Sequence, residues 1–548
     1  MTKLLTLLLL LVAALAFAQE SGPAEPEETE IVIPELVLEI EELELQQISA
    51  VLPAEGELAL GSIAIPLPGA DELFVDEGAF TIPQPGMVVG PDATSVFSSG
   101  RLGAGTVNHI VGELSLFKLG ADPRFRLRFS HEGLDGYQFG EPGRGYFSNV
   151  NVIDGWFAGG SERVSVDVEA AFSEEVDGLQ GQSDYYSVGL RRTIATAGVE
   201  FLPDPLVSLL GTIDGSFATR LQSASGTATG SSGSPQVPTE REFSLTPGVE
   251  ARFAIRAVDI VFSTSYFLRF LVDNEIPVTQ DIDLLAGVDV DLPAAATVSA
   301  RAGIQWDPSL AALRYPWSLS VGLLLGEALE TSVSGGYRVD RLLLADIWTD
   351  VPLAAVGDSE GAPDLANDGQ WYADVSARWS GASGLSLTAG AEFIAHEAAV
   401  DLRPYRTDTD EFPFVQRALL SLETSARASW RPGPQMQVQA GASGVFIDAV
   451  TGQPRLSVDG SIRAADRAER FTGAAEVRSD FYDAGPAMPW VGLSGSFAPS
   501  DELEFTLELS DLLAPISAGR PTIGPALSGD FPFIEPGFRA SLFTRISL

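Results

Sequence analysis

The residues that could perform metal or acid–base chemistry are few and scattered. The only histidines are His109, His131 and His396, which lie far apart in the sequence, and the chain has no cysteine. Zinc sites draw on histidine and cysteine at short regular spacings, and no such spacing occurs here. The twelve-residue acidic pattern of a calcium loop is likewise missing from the sequence. We therefore predict no metal site, no cofactor and no catalytic residues, and we do not expect an enzyme.

Adjacent carboxylates are the remaining catalytic candidates. Glu174 and Glu175 form one pair, and Asp408 and Asp410 form another. Both pairs fall between segments with strand patterning, so the sequence places them in loops. Carboxylates in loops are more often solvated than catalytic, and nothing in the strand pattern marks the strand-to-helix turn of a nucleophile elbow. We interpret these acids as surface residues.

Other charged residues occur in stretches where apolar and polar residues alternate. The stretches Leu503 to Ser510, Phe125 to Ser130 and Val164 to Glu169 alternate apolar and polar residues. Successive side chains of a strand point to opposite faces, so each stretch has one apolar and one polar face. An arginine facing hydrocarbon at the middle of a bilayer costs roughly 2–4 kcal/mol. If the apolar faces contact lipid, the charges must therefore face inward.

This reasoning predicts a set of lumen-lining residues, all charged and all on the polar faces of such stretches. A hydrated lumen lined with both signs of charge can orient or filter polar solutes. The alternative, that these residues pair with one another and fill the interior, stays open at this point. The predicted residues are Arg126, Arg128, Asp167, Glu169, Arg301, Arg378, Glu392, Arg427, Asp459, Arg463, Glu504, Glu508 and Arg539.

The amino terminus, residues 1–18, reads as an export signal. Lys3 supplies a positive end, Leu4 to Leu15 an apolar core, and Ala16-Phe17-Ala18 a small-residue cleavage site. The apolar core is too short to span a bilayer as a helix, and later apolar runs are interrupted by polar residues. Two classes remain: a soluble secreted protein, or a membrane protein built of strands.

Residues 19–93 form an acidic leader rich in glutamate and proline. No lysine or arginine occurs from Gln19 to Gly100, and the whole chain carries a net charge of −42. Like-charge repulsion and proline favour an extended periplasmic arm, with a segment that docks on a partner as the alternative. The net charge argues against nucleic acid as a partner, because phosphates need a basic surface.

Residues 94–548 repeat the strand pattern throughout. We count about twenty-two alternating segments, with eighteen or twenty as alternatives, and short connections such as Pro499-Ser500 alternate with long ones such as 340–369 and 511–535. Outer-membrane barrels join strands by tight periplasmic turns and longer outside loops. The sequence therefore predicts an all-β fold, a closed antiparallel transmembrane β-barrel. Aromatic residues near segment ends, such as Trp371 and Trp430, are typical of membrane-interface girdles.

Two motifs mark the carboxyl-terminal strands. Leu509-Ser510-Asp511-Leu512-Leu513 ends the penultimate strand and Glu535-Pro536-Gly537-Phe538-Arg539 starts the last, and both resemble the motifs at these places in TonB-dependent receptors. Gly103 to Asn108 is similar to the motif that ends the family's plug domain, and residues 28–33 resemble a TonB box. The resemblance implies a 22-stranded receptor barrel with a plug that is reduced or absent.

These observations predict a protein of the cell outer membrane that passes a polar solute through its lumen. The first mechanism is a transporter like a TonB-dependent receptor, and the alternatives are an open porin-like channel or a structural, adhesin-type surface barrel. The expected partners are outer-membrane lipid, the polar solute and a periplasmic energising protein that contacts residues 28–33. A soluble secreted β protein is the outside alternative.

Overall fold

The structure is a computed structural model that describes most of residues 96–547, all within the compact unit Pro85–Leu548. The predicted export signal (1–18) and acidic arm (19–93), including residues 28–33, lie outside the described residues. The gaps within the described part are 119, 121, 138–139, 182, 184, 224–235, 273–277, 293–294, 309–311, 327, 352, 357–366, 382–383, 404–411, 449–452, 469, 483–484 and 517–535.

Twenty-two long strands form one antiparallel sheet that closes on itself. Each strand pairs with the next along the chain, and the last pairs with the first, so that Gly103 lies opposite Phe543. The predicted closed barrel is therefore confirmed. Its strands, numbered β1 to β22, are Phe97–Gly105, Ile110–Lys118, Arg124–Asp135, Phe147–Ser161, Val164–Gly178, Ser187–Asp204, Val207–Ser223, Gln236–Ile255, Val258–Leu271, Thr279–Leu292, Ala296–Asp307, Trp317–Leu325, Leu329–Asp340, Asp368–Ser380, Leu385–Leu402, Phe412–Gly433, Met436–Val445, Leu456–Ala465, Phe471–Tyr482, Trp490–Ser500, Leu503–Ser510 and Arg539–Ser547.

Few other elements accompany the barrel. Among the described residues, one α-helix, α1 (Leu344–Asp350), and one 3-10 helix (Ala514–Ile516) lie in connections. Short strands occur at Ala312–Arg314, Ala354–Val356 and Gly485–Pro486. In the part of the chain that the structure describes, no helix has the length and apolar character needed to cross a membrane.

The connections alternate in length, as predicted. Those at one end are short, such as 162–163 and 501–502, and those at the other end include the long segments 341–367 and 511–538. The first hairpin, 106–109, is the tight exception at the long-loop end. Because both chain ends of the barrel lie at the short-turn end, this parity is the one expected of an outer-membrane barrel.

The first hairpin corrects the interpretation of the stretch Gly103 to Asn108. These residues end β1 and turn into β2, so they belong to the barrel wall and not to the end of a plug. Val107 and Asn108 have φ of 53° and 47°, and the His109 amide donates to the Thr106 carbonyl at 3.1 Å, as in a two-residue type I′ turn. The glycines in this stretch weaken the alternation, so the sequence did not show where the strand ends.

Several strands extend beyond the predicted segments at the long-loop end. β5 continues to Gly178, so Glu174 and Glu175 lie in a strand and not in the predicted loop. β16 begins at Phe412, well before the start that alternation predicts. Strand backbone outside the hydrocarbon is held by the same ladder of hydrogen bonds, but its side chains meet water on either face. The apolar alternation therefore stops before the strand does.

The sheet has an apolar face and a polar face, defined by side chains that alternate along each strand. Directly paired residues share a face. Leu127, Val168 and Leu507 lie on the apolar face, whereas Arg128 and Glu508 lie on the polar face. Leu507 is 49% exposed, so the apolar side chains do not form a protein core. This placement excludes a soluble sandwich, whose apolar faces would be packed together.

The apolar band has a sharp limit at the long-loop end of β3 to β9. One row of directly paired residues on the apolar face is mostly aromatic: Phe129, Ile153, Phe172, Thr193, Phe217, Phe243 and Phe270. The next row on this face, two residues closer to the loops, is polar: His131, Asn151, Glu174, Arg191, Thr219 and Arg241. From Val164 to Phe172 strand β5 is about 26 Å long, which at a strand tilt of about 40° spans roughly 20 Å of the apolar band of about 25 Å in an outer-membrane barrel.

Candidate functional site: the polar face and the loop docked on it

The register places all thirteen predicted lumen residues on the polar face. Several are held by ion pairs to charges that the sequence reasoning had not singled out. Arg126 and Arg128 both reach Asp154, at 3.3 and 2.7 Å. The other pairs are Arg301 with Asp289 (2.7 Å), Glu392 with Arg338 (3.2 Å), Glu508 with Arg101 (2.6 Å), Arg539 with Glu132 (3.3 Å) and Glu504 with Arg545 (3.9 Å).

The remaining members of the set are spread around the same face. Asp167 and Asp459 pack over glycines of the neighbouring strands, Gly198 and Gly441. Arg378 borders a recess with Glu330 near the short-turn end. Glu169, Arg427 and Arg463 lie on the polar face of β5, β16 and β18. The structure therefore shows a distributed charged lining and does not gather these residues into one compact site; that they line a solute path remains a prediction.

Small hydroxyl side chains fill much of the polar face between the charges. Ser216 and Ser244 are hydrogen-bonded at 2.8 Å, and Ser332 and Ser376 at 2.6 Å, each pair across neighbouring strands. Such side chains occupy little volume and offer both donors and acceptors. They keep the space in front of the wall open and compatible with water or a polar solute.

The polar face also carries a docked loop, which we define as residues 341–356 between β13 and β14. Its centre is helix α1, and its end, Ala354–Val356, pairs in parallel with Phe412–Phe414 at the start of β16. Burial of apolar side chains is what holds the loop against the wall. The shared core contains Leu344, Trp348 and Leu353 of the loop packed with wall residues Leu179, Val188, Leu190, Ala218, Leu271, Phe412 and Phe414.

Buried charges fix the ends of the docked loop. The carboxylate of Glu242, on β8, accepts hydrogen bonds from the amides of Leu344 (3.0 Å) and Ala345 (2.9 Å). These amides open helix α1 and have no partner within it, so the carboxylate serves as a cap supplied by the barrel wall. Arg269, on β9, donates to the Leu342 carbonyl, and Arg220, on β7, donates to the Ala354 carbonyl at 2.8 Å.

Further ion pairs extend the contact to β6 and β10. Arg192 pairs with Asp346 of helix α1 at 2.6 Å. Arg341 bridges two carboxylates of β10, reaching Asp281 at 2.7 Å and also Asp283. The loop thus leaves the barrel at β13 and attaches to the polar face of five other strands, β6 to β10.

Sequence reasoning missed this loop and its anchors. It placed residues 340–369 in a long external connection, because the stretch lacks strand alternation. A signal was present, since Leu342, Leu343, Leu344, Ile347 and Trp348 are too apolar for a fully solvated loop. The buried charges on the wall carried no comparable signal, because a charge on a strand end looks the same whether it faces water or a docked segment.

A second cluster lies where the sheet closes. His109 is 2% exposed, with Nδ1 hydrogen-bonded to Ser541 Oγ at 2.6 Å and Nε2 to Glu132 Oε1 at 3.0 Å. The Arg101 guanidinium lies over the ring of Phe543, 4.0 Å from its centre. These contacts join the first strands to the last. Across the described residues, no group of three or more acidic or histidine side chains is arranged to hold a metal ion.

No family model matches the chain, and no curated protein matches it in sequence. Solved structures do match its fold. A mutant of the ferric enterobactin receptor PfeA from Pseudomonas aeruginosa aligns with a TM-score of 0.60 at 10% identity, over 83% of this chain and 81% of that one. The FrpB iron transporter from Neisseria meningitidis gives 0.61 at 10%, over 84% and 82%. The copper transporter OprC gives 0.62 at 10%, over 83% and 80%.

These similarities confirm, for the fold, the resemblance to TonB-dependent receptors that the last strands suggested. The chain is an outer-membrane β-barrel protein: a closed 22-stranded sheet with its apolar side chains exposed and its charges on the other face. The predicted location in the outer membrane is therefore confirmed. The three compared proteins are a receptor and two transporters.

Proposed function

We propose that this barrel is an outer-membrane transporter that passes a polar solute along its polar face. The observation that carries the proposal is the continuous polar lining of the closed sheet, in which charges of both signs alternate with serine and threonine. The apolar face must contact acyl chains, so the polar face lines the interior, where charged groups stay hydrated. The thirteen residues, from Arg126 to Arg539, form this lining.

The lining suits a solute with both charged and hydroxyl groups better than a simple ion. Arginine forks such as Arg126 and Arg128 bind carboxylate or phenolate oxygens, and nearby carboxylates bind cationic groups. The compared proteins act on ferric enterobactin, iron and copper, so a chelated metal ion is the first solute to test. In this mechanism residues 28–33 contact a periplasmic energising protein, which supplies the work of release.

An open, porin-like channel is the competing mechanism, and one pair of measurements separates the two. The full chain is reconstituted in planar bilayers, and uptake of a labelled ferric chelate is followed in cells that express it. A receptor-type transporter gives silent bilayers and uptake that is lost when residues 28–33 are deleted, but not when residues 55–60 are deleted as a control. Steady conductance steps together with uptake insensitive to either deletion would identify a channel. Silence with no uptake of any polar solute would contradict transport.

A further inference from the structure

We propose that the docked loop, residues 341–356, is a fixed constriction that sets the size limit of the solute path. The inference deepens the proposed function and rests on it, because the loop can restrict passage only if solute moves along the polar face. The loop is part of the connection between β13 and β14, and so it belongs to the barrel and to no separate domain.

The attachment points show how far the loop reaches. It leaves at the end of β13, is bound to polar-face side chains of β6 to β10, including Arg192, Glu242 and Asp281, and its end, Ala354–Val356, pairs with the start of β16. A segment that joins distant strands of a closed sheet on its interior face crosses the opening as a chord. Among the described residues, the loop and its helix α1 occupy the space next to β6 to β10, so we expect solute to pass along the remaining strands.

The same contacts show that the loop is fixed in place. Trp348, Glu242 and Arg269 are all buried, and both charged groups have partners on the opposite surface: Glu242 accepts from the first amides of helix α1, and Arg269 donates to the Leu342 carbonyl. A buried charge that loses its partner is strongly unfavourable, so undocking would break several such contacts together. A mobile lid would be expected to bind through exposed, weakly packed groups instead.

The part of the wall that lies away from the docked loop is then the part that the solute contacts. Arg126, Arg128 and Asp154 on β3 and β4, together with Arg101 and Glu508 near the closure, lie away from the strands that bind the loop. These residues form a different set from the loop's anchors. We therefore assign the anchors a positioning role and the free wall the contact with solute.

Cysteine labelling tests whether the loop is docked. The chain has no cysteine of its own, and Ala345 is 0% exposed. We expect Ala345→Cys in intact cells to resist a membrane-impermeant maleimide, and Glu242→Ala to raise its labelling rate at least tenfold. Glu250→Ala is the matched control, because Glu250 lies on the same strand and face but pairs with Arg252 at 3.4 Å. Rapid labelling without Glu242→Ala would overturn the docked arrangement.

Solute entry tests the constriction itself. The full chain, the Glu242→Ala and Glu250→Ala variants, and a variant with residues 344–350 replaced by glycine and serine are placed in lipid vesicles. Swelling is followed with sugars and oligosaccharides of increasing size, and heat-modifiable gel mobility confirms that each barrel is folded. We expect the unmodified and Glu250→Ala barrels to admit no sugar or only the smallest ones, and the Glu242→Ala and replacement variants to admit larger ones.

The two ways to fail are distinct. If the unmodified barrel admits small sugars but loop replacement leaves the size limit unchanged, the proposal that the loop is a constriction is wrong. The proposal that solute passes along the polar face is then unaffected. If no barrel admits any sugar although the thiol introduced by Ala345→Cys has become reactive, the loop is not the barrier. Uptake of the ferric chelate then decides separately whether the barrel transports at all.

Discussion

At the scale of single residues, the polar face pairs its charges and does not leave them isolated. Asp154 serves both Arg126 and Arg128 from the neighbouring strand. Its side chain is mostly buried, so the interaction is less screened than a surface pair. We predict that Asp154→Asn lowers the free energy of unfolding by about 1–3 kcal/mol, the cost of leaving charged donors poorly satisfied.

Urea titration of the barrel in vesicles, followed by tryptophan fluorescence, measures this effect. Asp459→Asn is the control, because Asp459 also lies on the polar face but packs over Gly441. Equal losses for the two variants would show that the shared carboxylate has no special role in stability.

His109 tests the closure of the barrel at the same scale. Its two ring nitrogens connect Ser541 of the last strand with Glu132 of the third. His109→Ala removes both bonds and leaves the buried Ser541 hydroxyl and the half-exposed Glu132 carboxylate each with one partner fewer, so we predict a loss of about 1–3 kcal/mol. Ser541→Ala removes one bond only and should cost less.

The temperature at which the folded barrel loses its compact gel mobility ranks these closure variants. We expect the order wild type, Ser541→Ala, His109→Ala, from highest to lowest temperature. A His109→Ala barrel as heat-resistant as wild type would show that backbone pairing alone closes the sheet.

At the scale of elements, the turn 106–109 stores backbone strain. Val107 is β-branched and has φ of 53°, a region that such residues rarely adopt. Asparagine is favoured in type I′ turns, so we predict that Val107→Asn raises the free energy of unfolding by about 1 kcal/mol. Val107→Ala, which keeps the unfavourable φ but removes the branch, should gain less. A loss of stability on Val107→Asn in the same urea titration would mean that the valine side chain makes a contact worth more than the strain.

The elements that the sequence predicted are those whose periodicity the membrane enforces. Between Val164 and Phe172 every second side chain must be apolar, so the strand can be predicted from this alternation alone. Glu174 and Glu175 lie beyond that band, where nothing requires alternation, and the strand end was therefore misplaced. Helix α1 was missed for a different reason, since its partners, such as Glu242 and Arg269, come from strands remote in sequence.

The same division applies to the candidate site. Face assignment follows from parity along each strand, which is why residues as distant as Arg126 and Arg539 could be placed together. Partner assignment needs the register between strands, and so Asp154, Asp289 and Arg338 were not foreseen. Loop docking needs tertiary contacts that no local pattern encodes.

At the scale of the whole molecule, the apolar face defines how the barrel sits in the bilayer. On β5 the outward side chains Val164, Val166, Val168, Ala170 and Phe172 are followed at once by Glu174. Since the aromatic row that includes Phe172 continues across neighbouring strands, the hydrocarbon should end between Phe172 and Glu174. A charged side chain introduced on the apolar face should therefore lower the free energy of unfolding by different amounts on the two sides of this limit.

Two valines on β5 provide the matched test. Val168 and Val176 share a strand and a face, but Val168 lies inside the apolar band and Val176 beyond it. We predict that Val168→Arg lowers the free energy of unfolding in vesicles by about 2–4 kcal/mol, whereas Val176→Arg costs at most about 1 kcal/mol. The difference arises because only the first arginine is forced into hydrocarbon. Equal costs at the two positions would place the membrane boundary elsewhere, and with it the rows of aromatic and polar residues that we assign to the interface.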